Sequence, residues 1–226
     1  MMDVIKLENV SKKFRIPAEG RNTLFEEVLA FIRGKRRYYE FWALKNVSFG
    51  VKKGEIFGII GPNGSGKSTL LKIIAGVMYP DEGKVSVKGK VVPILELGVG
   101  FNPELTAREN VYLYGAIMGM KKGEIRRKYD EIFEFAELKK FENMRLKNFS
   151  SGMYARLAFS TAIAPEPDIL LVDEVLAVGD VEFQRKCINK IKELNENGTT
   201  ILLVSHNIDL VKTMCDRAIF LDKGVK

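Results

Sequence analysis

The stretch that most constrains this chain is residues 55–69, EIFGIIGPNGSGKST, in which a strand, a glycine-rich loop and a helix are predicted to follow one another. Glu55–Ile60 is a short apolar run of the kind that forms a buried strand. The next eight residues fit G-x-x-x-x-G-K-[ST] at every fixed position, and helix-forming residues follow from Thr69. Because an ordinary strand–helix turn needs none of these fixed positions, we favour a phosphate-binding loop.

This order of elements creates a surface that attracts anions. The glycines let successive N–H groups point into one concavity, and the helix adds the positive end of its dipole. Lys67 supplies a mobile charge for the β- and γ-phosphates, and the Ser68 hydroxyl can ligate Mg²⁺. The predicted nucleotide-binding residues are Gly61, Pro62, Asn63, Gly64, Ser65, Gly66, Lys67, Ser68 and Thr69. The stretch therefore predicts a site for a nucleoside triphosphate.

Composition places the chain among ordinary globular proteins, because it is 46% hydrophobic and 29% charged. No run approaches the ~18 apolar residues of a membrane helix, and MMDVIKLENV is not typical of a signal peptide. Cys187 and Cys215 fit no ligand spacing and are predicted to be free thiols. The net charge of +7 suits nucleic acid, anionic lipid or the triphosphate itself, so charge alone does not decide the partner.

The remaining patterns predict an α/β architecture. Three segments alternate like half-buried strands and are expected to form an antiparallel β layer. They are Val4–Val10, Ala43–Val51 and Lys84–Leu95. Residues 106–148 show helical periodicity, with one helix over Ala107–Met118 and another over Lys121–Leu138. We predict that this segment is a small helical subdomain inserted before the core resumes.

An insert, residues 15–41, separates the first two predicted strands. Its apolar residues recur at helical spacing and a basic cluster follows them, so it could pack on its own domain or meet a partner or membrane surface. Tyr38, Tyr39 and Phe41 come next. One of these rings is predicted to stack on adenine, because base–aromatic stacking contributes ~1–3 kcal/mol.

Ser150, Ser151 and Gly152 precede a predicted helix over Tyr154–Ile163. Either serine can cap this helix, and Gly152 allows a close backbone approach. The same residues could instead form a second anion site at the helix N-terminus. Residue types alone leave both interpretations open.

Two carboxylates, Asp173 and Glu174, end an apolar strand at the edge where ligands bind in parallel α/β sheets. Asp173 is placed to hold hydrated Mg²⁺, and Glu174 to orient or deprotonate the attacking water. His206, the only histidine, follows the predicted strand Thr199–Val204. A lone histidine is more often structural, yet this one lies at the same predicted edge.

In order and spacing, these motifs resemble the nucleotide-binding subunit of ABC transporters. GPNGSGKST is similar to Walker A, NFSSGM to the LSGGQ signature, and ILLVDE to Walker B with its catalytic glutamate. Asp180 occupies the place of the D-loop aspartate, and SHN that of the switch histidine. The insert, LELGVGFNPELTAREN and VDEVLAVGD most resemble exporters of O-antigen and teichoic acid. The implied fold is a P-loop NTPase core with a parallel sheet, an antiparallel β layer and a helical subdomain, as one ABC ATPase domain over residues 1–226.

The chain departs from the family pattern at two places. The Q-loop glutamine is missing, since the only glutamine is Gln184, and Glu96 is the expected stand-in that accepts from metal-bound water. The signature has Ser151 in place of its first glycine and ends in Met153, variants similar to those of the exporter subgroup. Counting back from ALKNVSF places the family's adenine-stacking aromatic near Tyr38 or Tyr39.

The resemblance implies a homodimer with two ATP molecules at its interface, each between Walker A of one chain and Ser150, Ser151 and Gly152 of the other. Mg²⁺ would be held by Ser68, Asp173 and Glu96, with Glu174 and His206 as catalytic residues. ATP hydrolysis would power a membrane permease that exports a lipid-linked polysaccharide from the cytoplasmic face of the inner membrane, and no nucleic acid is expected. Family members continue beyond the equivalent of Lys226, some into a carbohydrate-binding domain, so we expect a shortened sequence.

Two rival functions follow from the same residues. A soluble ABC ATPase that acts on nucleic acid or ribosomes would suit the basic charge. The interval between Walker A and the signature leaves no room for a long coiled coil, however, and the chain has one cassette rather than two. A nucleotide kinase would need neither the signature nor His206.

Overall fold

The computed structural model describes residues 2–17, 38–95, 97–173 and 179–225. Its strands are β1 (Asp3–Pro17), β2 (Tyr38–Lys52), β3 (Ile56–Ile60), β4 (Glu82–Val87), β5 (Val91–Ile94), β6 (Ile169–Asp173), β7 (Thr200–Val204) and β8 (Arg217–Phe220). Its α-helices are α1 (Lys67–Ile74), α2 (Ala107–Ile117), α3 (Lys122–Ala136), α4 (Ser151–Ala162), α5 (Val181–Glu196) and α6 (Ile208–Met214). None of the helices in these ranges is long and apolar enough to cross a membrane.

The central layer is a parallel sheet with strand order β5-β6-β7-β3-β8. Alternate residues of each strand face opposite sides, so Ile169 and Leu171 join one apolar cluster with α1, while Leu170 and Val172 join another with α5. Both faces are therefore buried, as is usual for parallel sheets, and this explains why the strands are nearly continuous apolar runs. The predicted α/β fold class is confirmed, and the two cysteines are free thiols.

A separate antiparallel sheet has the order β2-β1-β4 and packs its apolar face on the first of these clusters. The prediction of one antiparallel strand over Lys84–Leu95 was wrong, because β4 pairs with β1 whereas β5 joins the parallel sheet beside β6. Between them, the Lys90 backbone N–H donates to the Asp168 carboxylate at 2.7 Å, which fixes the start of β5 next to β6. Side chains alternate between the two faces of a strand in either kind of sheet, so this pattern could not show that the chain passes from one sheet to the other between β4 and β5.

The helical subdomain predicted at 106–148 contains α2 and α3, followed by short 3₁₀ turns at Lys139–Phe141 and Leu146–Asn148. Thr106 and Glu109 form a capping box that starts α2, with both reciprocal hydrogen bonds present. The apolar faces of the two helices meet in one cluster, which also includes Leu157 of α4. Helix α4, which begins at the predicted signature residues and is called the signature helix below, therefore shares a core with the subdomain.

The predicted insert at residues 15–41 lies only partly in the described ranges. Arg15–Pro17 and Tyr38–Phe41 are not insert but paired strand, with Arg15 opposite Glu40 and Ile16 opposite Tyr39. β1 and β2 therefore extend as a two-stranded ribbon. The amphipathic helix predicted between them falls in residues 18–37, outside the described residues.

Candidate nucleotide-binding site

The parallel sheet brings three predicted motifs to one edge. β7 lies between β6 and β3, with Val204 paired to Asp173 on one side and to Ile59 on the other. The glycine loop leaves β3, Asp173 ends β6, and Ser205-His206 leave β7 at their carboxyl ends. This is the edge where open α/β sheets bind ligands.

The glycine loop has the backbone geometry that its sequence predicts. Gly64 and Gly66 have φ of 77° and 100°, in the left-handed region that side chains disfavour. At Gly66 a Cβ would also lie 2.3 Å from the Ala43 carbonyl oxygen, so only glycine fits between the loop and β2. Helix α1 begins directly after Gly66 without a side-chain cap, so no capping side chain satisfies its first N–H groups at the loop.

Lys67 is folded back on its own loop. Its Nζ donates to the carbonyl oxygens of Gly61 at 2.8 Å and Pro62 at 2.9 Å, and only 6% of the residue is exposed. Ser65 is also buried, and its hydroxyl has no hydrogen-bond partner in the described part of the chain. The loop thus holds a cation and an unsatisfied hydroxyl where phosphate oxygens could accept from both.

A cavity of about 530 Å³ opens beside this loop. That volume is in the usual range of small-molecule sites, ~300–1,000 Å³. One part of its wall is polar and includes Lys67, Ser68 and Asp173. Mg²⁺ in phosphate sites needs only one or two protein oxygens in addition to phosphate and water, so Ser68 and Asp173 fit such an ion. The remaining loop residues in the wall are Asn63, Gly64, Gly66 and Thr69.

The other part of the cavity wall is aromatic, and of the three rings predicted as candidates for adenine stacking it contains Phe41. Phe41 lines the cavity together with Phe14 of β1, its cross-strand partner, which the sequence did not single out. Tyr38 and Tyr39, the two candidates that the family resemblance favoured for this stack, lie further along the ribbon opposite Pro17 and Ile16. They do not line this cavity and are 47% and 69% exposed.

The predicted signature residues lie at the N-terminus of α4, outside the cavity wall. The Ser150 hydroxyl accepts from the Met153 N–H at 3.2 Å, so the N-cap interpretation is correct for Ser150. Ser151 starts the helix, and a Cβ on Gly152 would meet only the Ser150 hydroxyl, at 3.8 Å. Packing among the described residues therefore does not require this glycine, and Ser150 and Ser151 are exposed at this helix end.

The remaining predicted residues are His206, Asp180, Glu174 and Glu96. His206 is exposed, just before Asn207, whose side chain caps α6 by accepting from the Leu210 N–H. Asp180 caps α5 by accepting from the Phe183 N–H at 2.9 Å. Glu174 and Glu96 follow β6 and β5 in the sequence but lie outside the described residues.

A glycine loop between a parallel strand and a helix, with an aspartate at the end of a nearby strand, defines a P-loop nucleoside triphosphatase. The sequence pattern of the ABC transporter family matches residues 44–177. The chain belongs to that family and is an ATP-binding cassette, an ATPase coupled to transport.

Individual relatives match along almost the whole chain. It is 44% identical to the O-antigen export system ATP-binding protein RfbB of Klebsiella pneumoniae, over 98% of this chain and 91% of that protein. It is 42% identical to the teichoic acids export ATP-binding protein TagH of Bacillus cereus, over 97% of this chain but 39% of that protein. A solved dimeric ATP-binding cassette in a post-hydrolysis state, bound to ADP and Pi, is 30% identical with a TM-score of 0.76, covering 98% of this chain and 95% of that one.

Proposed function

We propose that this chain is the ATP-hydrolysing subunit of an exporter that moves a lipid-linked polysaccharide, of O-antigen or teichoic-acid type, across the cytoplasmic membrane. The observation that supports the substrate class is the 44% identity with an O-antigen export system ATP-binding protein over 98% of the chain. Residues 1–226 act as a single ABC ATPase domain, located peripherally at the cytoplasmic face. The alternative, a soluble ABC ATPase acting on nucleic acid or ribosomes, is supported only by the net charge of +7.

Triphosphate binding follows from the geometry of the loop. The backbone N–H groups at the start of α1 face the phosphates, and Lys67 exchanges the carbonyls of Gly61 and Pro62 for β- and γ-phosphate oxygens. Ser68 and Asp173, both in the cavity wall, would hold Mg²⁺. Glu96, which follows β5 in the sequence, would accept from a metal-bound water. When bound, the ion would supply positive charge that stabilises the transferring phosphoryl group.

Two chains are needed to complete each site. The open N-terminus of α4, with Ser150, Ser151 and Gly152, has the dipole and N–H groups to bind the γ-phosphate held by a second chain. ATP then separates two positively polarised helix ends that would otherwise repel each other. Glu174 acts as general base on the attacking water, His206 contacts the γ-phosphate, and Asp180 lies at the dimer interface.

Hydrolysis removes the γ-phosphate that joins the two chains, so the dimer reopens and moves the permease. The loop 97–100, next to Glu96 in the sequence, is a suitable contact because Val99 is exposed. This loop is tied to the signature helix, since the Tyr154 hydroxyl donates to the Gly98 carbonyl at 2.9 Å. Gly98 is left-handed, and a Cβ there would lie 2.5 Å from the Tyr154 ring, so the contact requires glycine. A push on the loop would thus reach α4.

Adenine binding is predicted to depend on Phe41 rather than on the tyrosines. Replacing Phe41 with alanine should weaken ATP affinity about 10-fold, because a base–aromatic stack contributes ~1–3 kcal/mol. Tyr39→Ala is the matched control, since it removes a ring from the same face of the ribbon but outside the cavity wall. Titration with a fluorescent ATP analogue measures both. Weakening by Tyr39→Ala alone would restore the assignment to Tyr38 and Tyr39.

Co-purification tests the exporter against its rival. We expect the tagged chain, extracted from membranes in mild detergent, to bring down a polytopic permease in stoichiometric amount. Nuclease treatment should leave this complex unchanged. Recovery of nucleic acid or ribosomes in place of a permease would favour the soluble ATPase. The identity of the permease would also narrow the polysaccharide.

A further inference from the structure

Arg156 of helix α4 joins three elements that are distant in the sequence. Its guanidinium donates to the Glu137 carboxylate at 2.6 Å and to the Asp180 carboxylate at 2.5 Å. The same group lies over the Phe183 ring, 4.8 Å from its centre. Only 18% of the arginine side chain is exposed. Both ends of its fork are thus occupied, and its flat face is covered by a core aromatic residue.

The two acidic partners are themselves fixed at helix ends. Asp180 caps α5 through the Phe183 N–H, and this bond together with Arg156 lowers the pKa of its carboxyl below the ordinary value. Glu137 follows α3 in a left-handed conformation, with φ of 61°, and its second oxygen accepts from Lys186 of α5 at 3.0 Å. Lys186 also donates to the Phe135 carbonyl at 2.8 Å. Negative and positive side chains therefore alternate across the junction of α3, α4 and α5, in the order Asp180, Arg156, Glu137 and Lys186.

This junction lies close to both segments assigned to the dimer interface. Arg156 comes six residues after Ser150 on the signature helix, about 9 Å along its axis at 1.5 Å per residue. Its partner Asp180 is the D-loop residue. Arg156 does not line the nucleotide cavity. Any effect on function must therefore pass through the positions of Ser150–Gly152 and Asp180 rather than through direct contact with the same chain's ATP.

We propose that Arg156 is a positioning residue that holds Asp180 at a fixed place relative to the signature N-terminus, so that both segments meet the partner chain as one unit. The inference rests on the proposed ATP-held dimer. The planar, rigid guanidinium of an arginine fixes the relative positions of the two carboxylates through charge-assisted hydrogen bonds. A lysine would fix them less well, because its single ammonium group cannot bridge both carboxylates in one plane. Loss of the bridge should leave ATP binding to a single chain intact and weaken association of two chains.

A double-mutant cycle tests this, using Arg156→Ala and Asp180→Asn. Asparagine still caps a helix, so Asp180→Asn removes charge without removing the N-cap. In a Glu174→Gln background, each change should weaken Mg-ATP-dependent dimerisation about 10-fold, and the double variant should be no weaker than either single variant. Affinity for a fluorescent ATP analogue, at concentrations where the chain is monomeric, should stay unchanged. Sedimentation velocity measures dimerisation.

Two further variants separate positioning from a general loss of stability. Arg108→Ala breaks a comparable pair, Arg108 with Glu142 at 2.6 Å, inside the helical subdomain, and should leave dimerisation unchanged. Arg156→Lys should fold even if Arg156→Ala does not, and should restore part of the dimerisation.

The outcomes distinguish this inference from the proposed function. Additive effects of Arg156→Ala and Asp180→Asn, or an equal loss in Arg108→Ala, would overturn the role of Arg156 while the ATP-held dimer stands. A parent chain that stays monomeric with Mg-ATP would overturn the dimer and the inference together.

Discussion

Replacing Lys67 with alanine is expected to abolish measurable ATP hydrolysis and to weaken ATP binding. The change removes the only side-chain cation that the described cavity wall presents, and charge-assisted bonds to phosphate are among the strongest polar contacts. Loss of one preorganised donor to developing charge typically lowers kcat about 10²–10³-fold. Phosphate release and fluorescent-nucleotide titration measure the two effects. Turnover at the wild-type rate would remove the assignment of the phosphate-binding loop.

Lys67 is buried, so the variant also needs a folding control. Its stem fills space within the loop, and two carbonyl oxygens lose a donor when it is removed. Lys67→Met keeps most of that volume without the charge and should be as inactive as Lys67→Ala. Lys192→Ala, a change at an exposed lysine of α5, should behave like the wild type. Thermal unfolding of all three variants would show that lost activity is not lost structure.

The loop itself was predictable from sequence because its determinants are local. The strand pattern, the left-handed glycines and the start of α1 all lie within residues 55–69, so each of them follows directly from the one before along the chain. The cap at Ser150 was predictable for the same reason, since its hydroxyl bonds to a backbone group three residues away. Local hydrogen bonding and backbone geometry therefore account for most of what the sequence predicted correctly.

Features that depend on pairing between segments could not be predicted in the same way. Pairing of β1 with β2 has register shifts between Leu7 and Val10 and again between Lys12 and Lys13. These shifts set which residue of β1 lies opposite each residue of β2, and Phe41 and Tyr39 lie on the same face of the ribbon, so alternation along the sequence could not tell which of the two lies beside the cavity. Phe14 was missed for the same reason, although its place opposite Phe41 becomes plain once the register is known.

Arg156 shows the same limit for charged residues. Its partners, Glu137 and Asp180, are 19 and 24 residues away in the chain and lie at the ends of two different helices. No periodicity or motif relates them, and in the sequence Arg156 is one basic residue among thirty-six. Only the packing of α3, α4 and α5 brings the three groups together.

Replacing Glu174 with glutamine is expected to separate ATP binding from hydrolysis. Glutamine keeps the size and one acceptor oxygen of glutamate but cannot take a proton from water. Loss of a positioned general base typically lowers the rate about 10²–10⁴-fold, or ~3–5 kcal/mol of barrier. Lys67, Ser68, Asp173 and the loop N–H groups remain, so ATP should still bind. Steady-state phosphate release and nucleotide titration would show the two effects apart.

Binding without turnover should then let the chain accumulate as an ATP-held dimer. Size-exclusion chromatography with Mg-ATP should show the shift to dimer in Glu174→Gln, and ADP should not produce it because the γ-phosphate that joins the two helix ends is missing. Glu196→Gln, at an exposed glutamate at the end of α5, is the matched control and should hydrolyse ATP normally. Normal hydrolysis by Glu174→Gln would move the role of base to another group, with Asp180 and His206 as the next candidates.

Replacing His206 with alanine should also slow turnover, but for a different reason, because it removes a contact to the γ-phosphate. We therefore expect His206→Ala to weaken the ATP-held dimer, whereas Glu174→Gln accumulates it.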